Sequence, residues 1–260
     1  MKVAAVVLAG ADNQGKLGGV SQAQHEALIP ILGRPMIHYV LDALQAAEAV
    51  GRIVVVGPAA ELRAAGGMDG VEVVERGRTM VENLRIGVDH LASKEPVLVV
   101  TSDIPLIHSQ AVDDFIERCR QTQADIYYPI IRKETNERAY PGVKRTYVRL
   151  KDGVFTGGNM ALLEPEVIPS CERVIAQAVA MRKKPWQLSR MLGFIFIVKF
   201  LTNRLTLAEI EERVARIIGF RGVGIESPYP EVGIDVDKPE DLALVEAALQ
   251  RQERTGGDSQ

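Results

Sequence analysis

The sequence predicts an α/β protein, a Rossmann-like three-layer α/β/α sandwich with a mostly parallel sheet. Three observations lead to this fold class. The chain has 260 residues, enough for a full core, its first strand is almost uniformly apolar, and further β-rich runs alternate with stretches of helical periodicity. We expect a single domain over residues 1–250, followed by a polar, disordered tail at 251–260.

The first strand is expected at Val3–Leu8, because a continuous apolar run is typical of a parallel strand with helices on both faces. Later strands are predicted at Arg52–Val56, Val71–Val74, Val97–Thr101 and Asp125–Ile131, with helices within Pro35–Ala49, Thr79–Leu91 and Ser109–Arg120. A helical and hairpin insertion is expected at about 140–225, where TYVRLKDGVFTGG predicts the hairpin and Thr206 with Glu209 forms a capping box.

The composition argues against several classes of function. A formal net charge of −3 indicates no basic surface, so we expect no nucleic-acid partner. Cys119 and Cys171 form no close pair and the four histidines lack metal-ligand spacing, which argues against structural disulfides and zinc and favours the cytoplasm. The opening apolar run has no basic leader or cleavage site, so it predicts a strand rather than a signal peptide.

A glycine-bearing loop follows the first strand, and Gly10, Gly15, Gly18 and Gly19 punctuate it. Backbone amides in such a turn can face a phosphate group. The loop lacks G-x-G-x-x-G spacing, and the second strand runs into Gly57-Pro58 without an acidic residue for ribose hydroxyls. A nicotinamide-binding Rossmann protein is therefore disfavoured.

Four short motifs in this opening resemble those of the MobA-like NTP transferases, a nucleotidyltransferase family with a GT-A type fold. They are Leu8-Ala9-Gly10, Lys16-Leu17-Gly18, Ala27-Leu28-Ile29-Pro30 and Gly33-Arg34-Pro35. The resemblance implies an NTP site formed by Leu8, Ala9, Gly10, Ala11, Gly15, Lys16 and Gly18, with Lys16 on the phosphates. Two positions depart from the family pattern: Ala11 replaces a glycine, and Glu26 stands where the family has its phosphate-binding lysine.

The strongest chemical signal is VLVVTSDIP, residues 97–105. Its apolar part predicts a strand, and Asp103 follows at the carboxyl end, where open α/β sheets bind ligands. The phrase resembles the family's D-x-P metal motif, which implies that Ser102 and Asp103 meet the nucleotide and that Asp103 holds Mg²⁺. The alternative is that Asp103 caps a turn before Pro105.

A second acidic segment, GIDVDKPED, resembles the family's late metal motif. It implies Asp235 as the second metal ligand, acting with Asp103 and Lys16 in catalysis. Asp237 is either a further metal ligand or the N-cap of a helix over Lys238–Gln250. Asp241, inside that helix, is expected to be solvated.

Two polar segments complete the expected site. Arg78 and Asn83 resemble residues that contact the phosphates and the nucleobase in related transferases, and the alternative interpretation is a solvated helix face. Gly157, Gly158 and Asn159 resemble a segment that touches the acceptor in sugar and cofactor nucleotidyltransferases, and their alternative interpretation is a strand bulge.

Residues Met181–Leu205 combine basic side chains with an apolar run over Leu192–Leu201. The run is far shorter than the roughly 20 residues that span a bilayer, so no transmembrane segment is expected. A buried helix or a homodimer contact is favoured over a peripheral membrane contact.

The sequence therefore predicts a Mg²⁺-dependent nucleotidyltransferase. It would transfer the NMP moiety of an NTP to a phosphorylated or hydroxyl-bearing small-molecule acceptor and release pyrophosphate. The alternative is a nucleotide- or nucleotide-sugar-binding module with impaired catalysis, because Glu26 repels the phosphates that a lysine would attract.

Overall fold

The computed structural model describes residues 2–170 and 193–257. In chain order the strands are β1 (Val3–Leu8), β2 (Pro30–Ile31), β3 (Arg34–Pro35), β4 (Val50–Gly57), β5 (Glu72–Glu75), β6 (Val97–Thr101), β7 (Ile126–Arg132), β8 (Val148–Leu150), β9 (Gly153–Gly157), β10 (Met160–Leu163) and β11 (Gly222–Glu226). The helices are α1 (Met36–Ala46), α2 (Ala59–Ala65), α3 (Met80–Leu91), α4 (Ser109–Arg120), α5 (Lys133–Ala139), α6 (Phe194–Leu201), α7 (Leu207–Ile218) and α8 (Pro239–Gly257).

One large sheet runs through the described part of the chain in the order β5-β4-β1-β6-β10-β7-β9-β8, with β11 on β7. Strands β5, β4, β1 and β6 are parallel to one another, as are β7 and β11. Strand β10 lies antiparallel between β6 and β7, and β8 with β9 forms the expected hairpin. The predicted α/β class is confirmed, and antiparallel strands extend its parallel part.

The side chains of β1 point alternately to the two faces of the sheet, which explains the three layers. Ala5 and Val7 pack into the larger hydrophobic cluster with residues of α1 and α4, including Leu41 and Phe115. Val6 faces the opposite side, where a second cluster contains Leu84 and other residues of α3. Because successive strand residues point to opposite faces, one apolar run can support helices on both sides of the sheet.

Two helices begin at a threonine that caps the first turn. Thr79 caps α3 and Thr206 caps α7, and each forms a capping box with a glutamate three residues later. At the start of the last helix the expected N-cap residue, Asp237, makes its contact through the backbone: its N–H donates to the carboxylate of Asp241 at 3.2 Å. Asp241 is therefore buried, 5% exposed, rather than solvated.

The last helix is longer than expected. It continues to Gly257, so the part of the proposed tail that is described, 251–257, is helical rather than disordered. Val245 and Leu249 anchor this helix in a hydrophobic cluster with Leu17 and Ile31, and helix propagation from an anchored segment is favourable. Arg251 also donates from Nε to the Ala247 carbonyl at 3.0 Å.

The expected insertion is only partly described. Residues 171–192, which contain Cys171 and the first part of Met181–Leu205, lie outside the described residues. Within the remainder, α6 exposes Ile195 and Leu201, each at 72%. A homodimer or peripheral membrane contact through this segment stays a prediction. No helix in the described ranges has both the length and the apolarity needed to cross a membrane.

Candidate active site

A cavity of about 760 Å³ opens beyond the carboxyl end of the parallel strands. Seven of the expected nucleotide-binding residues line it: Leu8, Gly10, Ala11, Arg78, Asn83, Ser102 and Asp103. We call it the nucleotide cavity. Ala9 does not line it, because its side chain is fully buried in the core beneath.

The structure does not bring Gly15, Lys16 or Gly18 to the wall of this cavity. They lie in the loop around the 3-10 turn Lys16–Gly19, where Lys16 is exposed and Leu17 is the buried residue. Burial of Leu17 fixes this turn against the cluster that also holds α8. The proposed phosphate contact of Lys16 remains a prediction.

Asn83 connects two walls of the nucleotide cavity. Its Oδ1 accepts a hydrogen bond from the Gly77 N–H at 2.7 Å, and its side chain is buried. Its Nδ2 lies so close to Gly10 that a Cβ at that position would be 2.2 Å away. Gly10 is therefore required for close approach, and Asn83 is a fixed polar group at the cavity wall.

Arg76 is a cavity residue that the sequence analysis missed. Its Nη1 lies 2.7 Å from Asp12 Oδ1 and also donates to the Gly10 carbonyl. Asp12 is in turn 3.1 Å from His25 Nδ1. A signal was present, because Arg76 directly follows a parallel strand, β5, at the ligand-binding edge of the sheet.

Three carboxylates meet at the edge of the nucleotide cavity. Asp103, Asp235 and Asp237 each offer an oxygen, and these oxygens all lie within 4.8 Å of one another. A backbone hydrogen bond explains the meeting, since the Val236 N–H donates to the Asp103 carbonyl at 2.9 Å. This bond fixes the late acidic segment against the end of β6, although the two are more than 130 residues apart. The three residues form what we call the acidic cluster.

The acidic cluster is short of positive charge. Burial and the nearby Asp235 raise the pKa of Asp103 to about 6, although a hydrogen bond from the Thr101 hydroxyl acts in the opposite direction. Partial burial and Asp235 raise the pKa of Asp237 to about 6, while part of that side chain stays in solvent. Hard carboxylate oxygens that repel one another are a suitable donor set for Mg²⁺.

Glu26 belongs to the same electrostatic environment. It lines the nucleotide cavity, and burial followed by the charge of Asp237 raises its pKa. Glu26 also contributes to the raised pKa of Asp103. The Glu26 carboxylate therefore adds negative charge to the wall of the nucleotide cavity.

Arg145 offsets part of this charge and was not expected from the sequence. Its guanidinium donates to the Asp235 carboxylate from Nη1 and to the Asp235 carbonyl from Nη2, the latter at 2.9 Å. The side chain is only 9% exposed, and its buried Nε has no hydrogen-bond partner in the described part of the chain. No motif surrounds Arg145, so only the fold reveals its contact with a residue 90 positions later.

A second cavity, of about 320 Å³, opens on the other side of the acidic cluster. Its lining includes Asp235 and Asp237 and all three expected acceptor residues, Gly157, Gly158 and Asn159. The other lining residues are Tyr128, Lys144, Arg145, Thr146, Thr156, Gly233 and Lys238. We call it the acceptor cavity. The acidic cluster thus joins two cavities, with Asp103 on one side and Asp235 and Asp237 on the other.

Gly158 and Asn159 also form a strand bulge, the alternative interpretation of this segment. Gly157 pairs with Ile130 and Leu162 with Tyr127, so the four residues 158–161 lie opposite only two residues, 128 and 129. A Cβ at Gly158 would lie 2.9 Å from the Val232 carbonyl oxygen. The bulge permits this close approach and turns the segment toward the acidic cluster.

Comparison with known proteins gives the family. The model of the MobA-like NTP transferase domain matches residues 5–188. The chain belongs to the MobA-like NTP transferase family. Its class of activity is therefore that of an enzyme, a nucleotidyltransferase, as the motifs of the opening loop predict.

Solved structures support the fold. A hypothetical transferase from Thermus thermophilus is 36% identical, with a TM-score of 0.78, and the match covers 93% of this chain and 100% of the other. A CMP:2-keto-3-deoxy-manno-octonic acid synthetase in complex with CTP shares the fold at 14% identity and a TM-score of 0.62, over 97% of this chain and 100% of the other.

A relative found by sequence is the bifunctional protein GlmU of Parvibaculum lavamentivorans, which is 33% identical over 112 residues. The match covers 37% of this chain and 23% of the length of GlmU.

Proposed function

We propose that this protein is a Mg²⁺-dependent nucleotidyltransferase that transfers the NMP moiety of an NTP to a phosphorylated or hydroxyl-bearing small molecule. One observation carries the proposal: the acidic cluster lies where two separate cavities meet. A transfer reaction needs this arrangement, because donor and acceptor must reach the same reactive phosphorus from different sides.

The nucleotide cavity would hold the NTP. Asn83, with fixed hydrogen-bonding groups, is suited to the nucleobase, and Arg78 is suited to the phosphates. Asp103, Asp235 and Asp237 would hold Mg²⁺, which neutralises phosphate charge when it is bound. Lys16 is proposed to approach the phosphates from the opening loop.

The acceptor cavity would orient the attacking oxygen through Gly157, Gly158 and Asn159. That oxygen forms a bond to the α-phosphorus while the bond from the α-phosphorus to the bridging oxygen breaks and pyrophosphate leaves. A phosphate acceptor is already ionised, whereas a hydroxyl acceptor gives its proton to solvent. Lys144, Arg145 and Lys238 line the cavity, which favours an acceptor of negative charge.

A binding module without turnover is the second candidate, and Glu26 is the observation that favours it. Its carboxylate faces the nucleotide cavity and lies within electrostatic range of Asp237 and Asp103. An added negative charge weakens the binding of a triphosphate unless other groups compensate for it.

The decisive experiment measures thermal shift and pyrophosphate release with four NTPs, with and without Mg²⁺. A ligand that binds only the folded state raises the apparent stability, so the shift identifies the base. We expect one NTP to stabilise the protein in a Mg²⁺-dependent way and to release pyrophosphate once an acceptor is present. An NTP that stabilises the protein without turnover under any acceptor would favour the binding module.

Glu26→Lys separates the two candidates further. It removes a repulsion and adds an attraction, so NTP affinity should rise, by less at high salt because solvent screens the charge. Glu61→Lys, on the exposed face of α2, is the matched control and should leave affinity unchanged. Equal affinity in wild type and Glu26→Lys would mean that Glu26 does not approach the phosphates.

A further inference from the structure

An apolar cavity of about 360 Å³ lies directly beside the acceptor cavity. Tyr128, Thr156 and Gly157 line both cavities. The rest of its lining comes from β7, β8, β9, β11 and α7 and is almost entirely apolar, including Ile130, Leu207 and Ile210. A polar cavity and an apolar cavity therefore share one wall.

Two glycines keep this apolar cavity open. Gly222 and Gly224 are two residues apart on β11 and so face the same side of the sheet. A Cβ at Gly222 would lie 3.6 Å from Val214 Cγ1, and one at Gly224 would lie 3.4 Å from Leu207 Cδ1, so both positions face α7. Neither glycine has a positive φ, so the backbone does not require glycine at either position.

The acceptor cavity, at the other end, carries two free cations beside the acidic cluster, in which Asp235 is already paired with Arg145. Lys144 and Lys238 line the acceptor cavity, and neither ammonium group has a hydrogen bond or an ion pair to another described residue. Tyr128 stands between the two ends, because its hydroxyl donates to the Gly158 carbonyl at 2.7 Å while its ring belongs to the apolar wall. The shape thus runs from unpaired positive charge to apolar surface.

We propose that the acceptor of this enzyme is amphiphilic, with an anionic head group in the acceptor cavity and an apolar chain in the cavity beneath α7. The inference rests on the proposed function, because it names the class of molecule that receives the nucleotidyl group. Unpaired lysines match the head group, and the lining residues common to both cavities place the apolar cavity directly next to it.

Titration calorimetry with n-alkyl phosphates tests the proposal on the full chain without NTP. The series runs from ethyl to octyl phosphate, below the micellar concentrations, with inorganic phosphate as the reference. Each methylene that leaves water should strengthen binding by about fourfold until the cavity is full. An affinity that does not change with chain length overturns the proposal.

Gly222→Val narrows the apolar cavity with a side chain that suits a strand. This variant should bind ethyl phosphate as the wild type does and lose the gain with chain length. Gly51→Val is the matched control, since it makes the same change in β4, toward the other edge of the sheet. Gly224→Ala adds a single methyl group to the same cavity and replaces Gly222→Val in this test if that variant does not fold. If Gly222→Val folds and keeps the full gain, the chain binds elsewhere and the proposal fails.

Lys238→Gln tests the head group independently. It should weaken every member of the series by the same factor, because chain length and charge act at opposite ends. A loss restricted to the long-chain members contradicts the assigned orientation.

Pyrophosphate release separates this inference from the proposed function. Chain-dependent binding with no pyrophosphate from any NTP supports the amphiphile site and removes the transferase proposal. Pyrophosphate release together with an affinity that does not change with chain length supports the transferase proposal and removes the amphiphile site.

Flotation with vesicles of phosphatidic acid and phosphatidylcholine distinguishes a membrane-held acceptor from a soluble one. Flotation that Gly222→Val abolishes supports the lipid source, and flotation that Gly222→Val leaves intact contradicts insertion of a lipid chain in this cavity.

Discussion

Asp103→Asn should stabilise the protein in EDTA and remove its response to Mg²⁺. The pKa of Asp103 rises from 3.8 to about 6 on folding, so the ionised carboxylate destabilises the folded state. Two pH units correspond to about 3 kcal/mol at 1.36 kcal/mol each. Because Asp103 keeps some exposed surface, we expect about 2 kcal/mol, or a rise in Tm of about 4–8 °C.

The sign depends on pH in a defined way. A carboxyl group with a raised pKa costs no stability below its unfolded pKa, here 3.8, and the cost grows up to about pH 6. Asp103→Asn should therefore match wild type at pH 3.5 and exceed it at pH 7.5. Asparagine keeps an Oδ1 that can accept the Thr101 hydrogen bond, so that contact survives.

Denaturant unfolding at both pH values, in EDTA and in 10 mM Mg²⁺, measures the effect. Wild type should gain stability from Mg²⁺, and Asp103→Asn should gain much less, because it lacks one anionic ligand. Asp89→Asn, exposed on α3, is the control and should change stability by less than about 0.5 kcal/mol. A variant less stable than wild type in EDTA at pH 7.5 would refute the burial argument, and equal Mg²⁺ responses would refute the metal assignment.

Three further outcomes can be measured. Thr79→Ala should lower the free energy of unfolding by about 0.5–2 kcal/mol, because it removes the cap of α3, whereas Thr79→Ser should retain most of it. Arg52 and His90 lower the pKa of Glu72 from 4.5 to about 2, so the stability that this carboxylate adds is present above pH 4.5 and lost as the pH falls toward 2; Glu72→Gln should flatten unfolding curves in that window, and an unchanged slope would contradict the ion pair. Burial raises the pKa of the Cys119 thiol to about 12, so in a Cys171→Ser background it should react with a thiol reagent only upon unfolding, and rapid labelling of the folded protein would disprove its burial in α4.

The parts of the fold that follow from local rules could be predicted from the sequence. The apolar run of β1 and the periodic apolar residues of α1 and α4 are signals of burial, and all three elements occur where the pattern indicates. The expected disorder of residues 251–257 was wrong, because anchoring by Val245 and Leu249 in the core is a tertiary effect. Composition alone does not contain that contact.

In the candidate site, too, some residues could be predicted from local motifs and others could not. Asp103, Asp235 and Asp237 each stand in a recognisable phrase, and the structure brings them together. Arg145 stands in no motif, and its contact with Asp235 depends on how a loop after α5 folds across the sheet. Residues that act through long-range contacts carry little local signal, and the cations of the acceptor cavity are of this kind.

Two arginines, Arg76 and Arg78, line the nucleotide cavity together with Glu26. Arg76 is engaged by Asp12 and by the Gly10 carbonyl, so its charge is already partly used. Arg78 also lines the nucleotide cavity, and its guanidinium has no ion pair to another described residue. Since Glu26 repels phosphate from one wall and Arg78 attracts it to another, the proposed triphosphate is favoured on the α3 side of the cavity, away from Glu26. Glu26→Lys would draw the phosphates toward the opening loop, so the wild type and this variant favour different phosphate positions over the same acidic cluster.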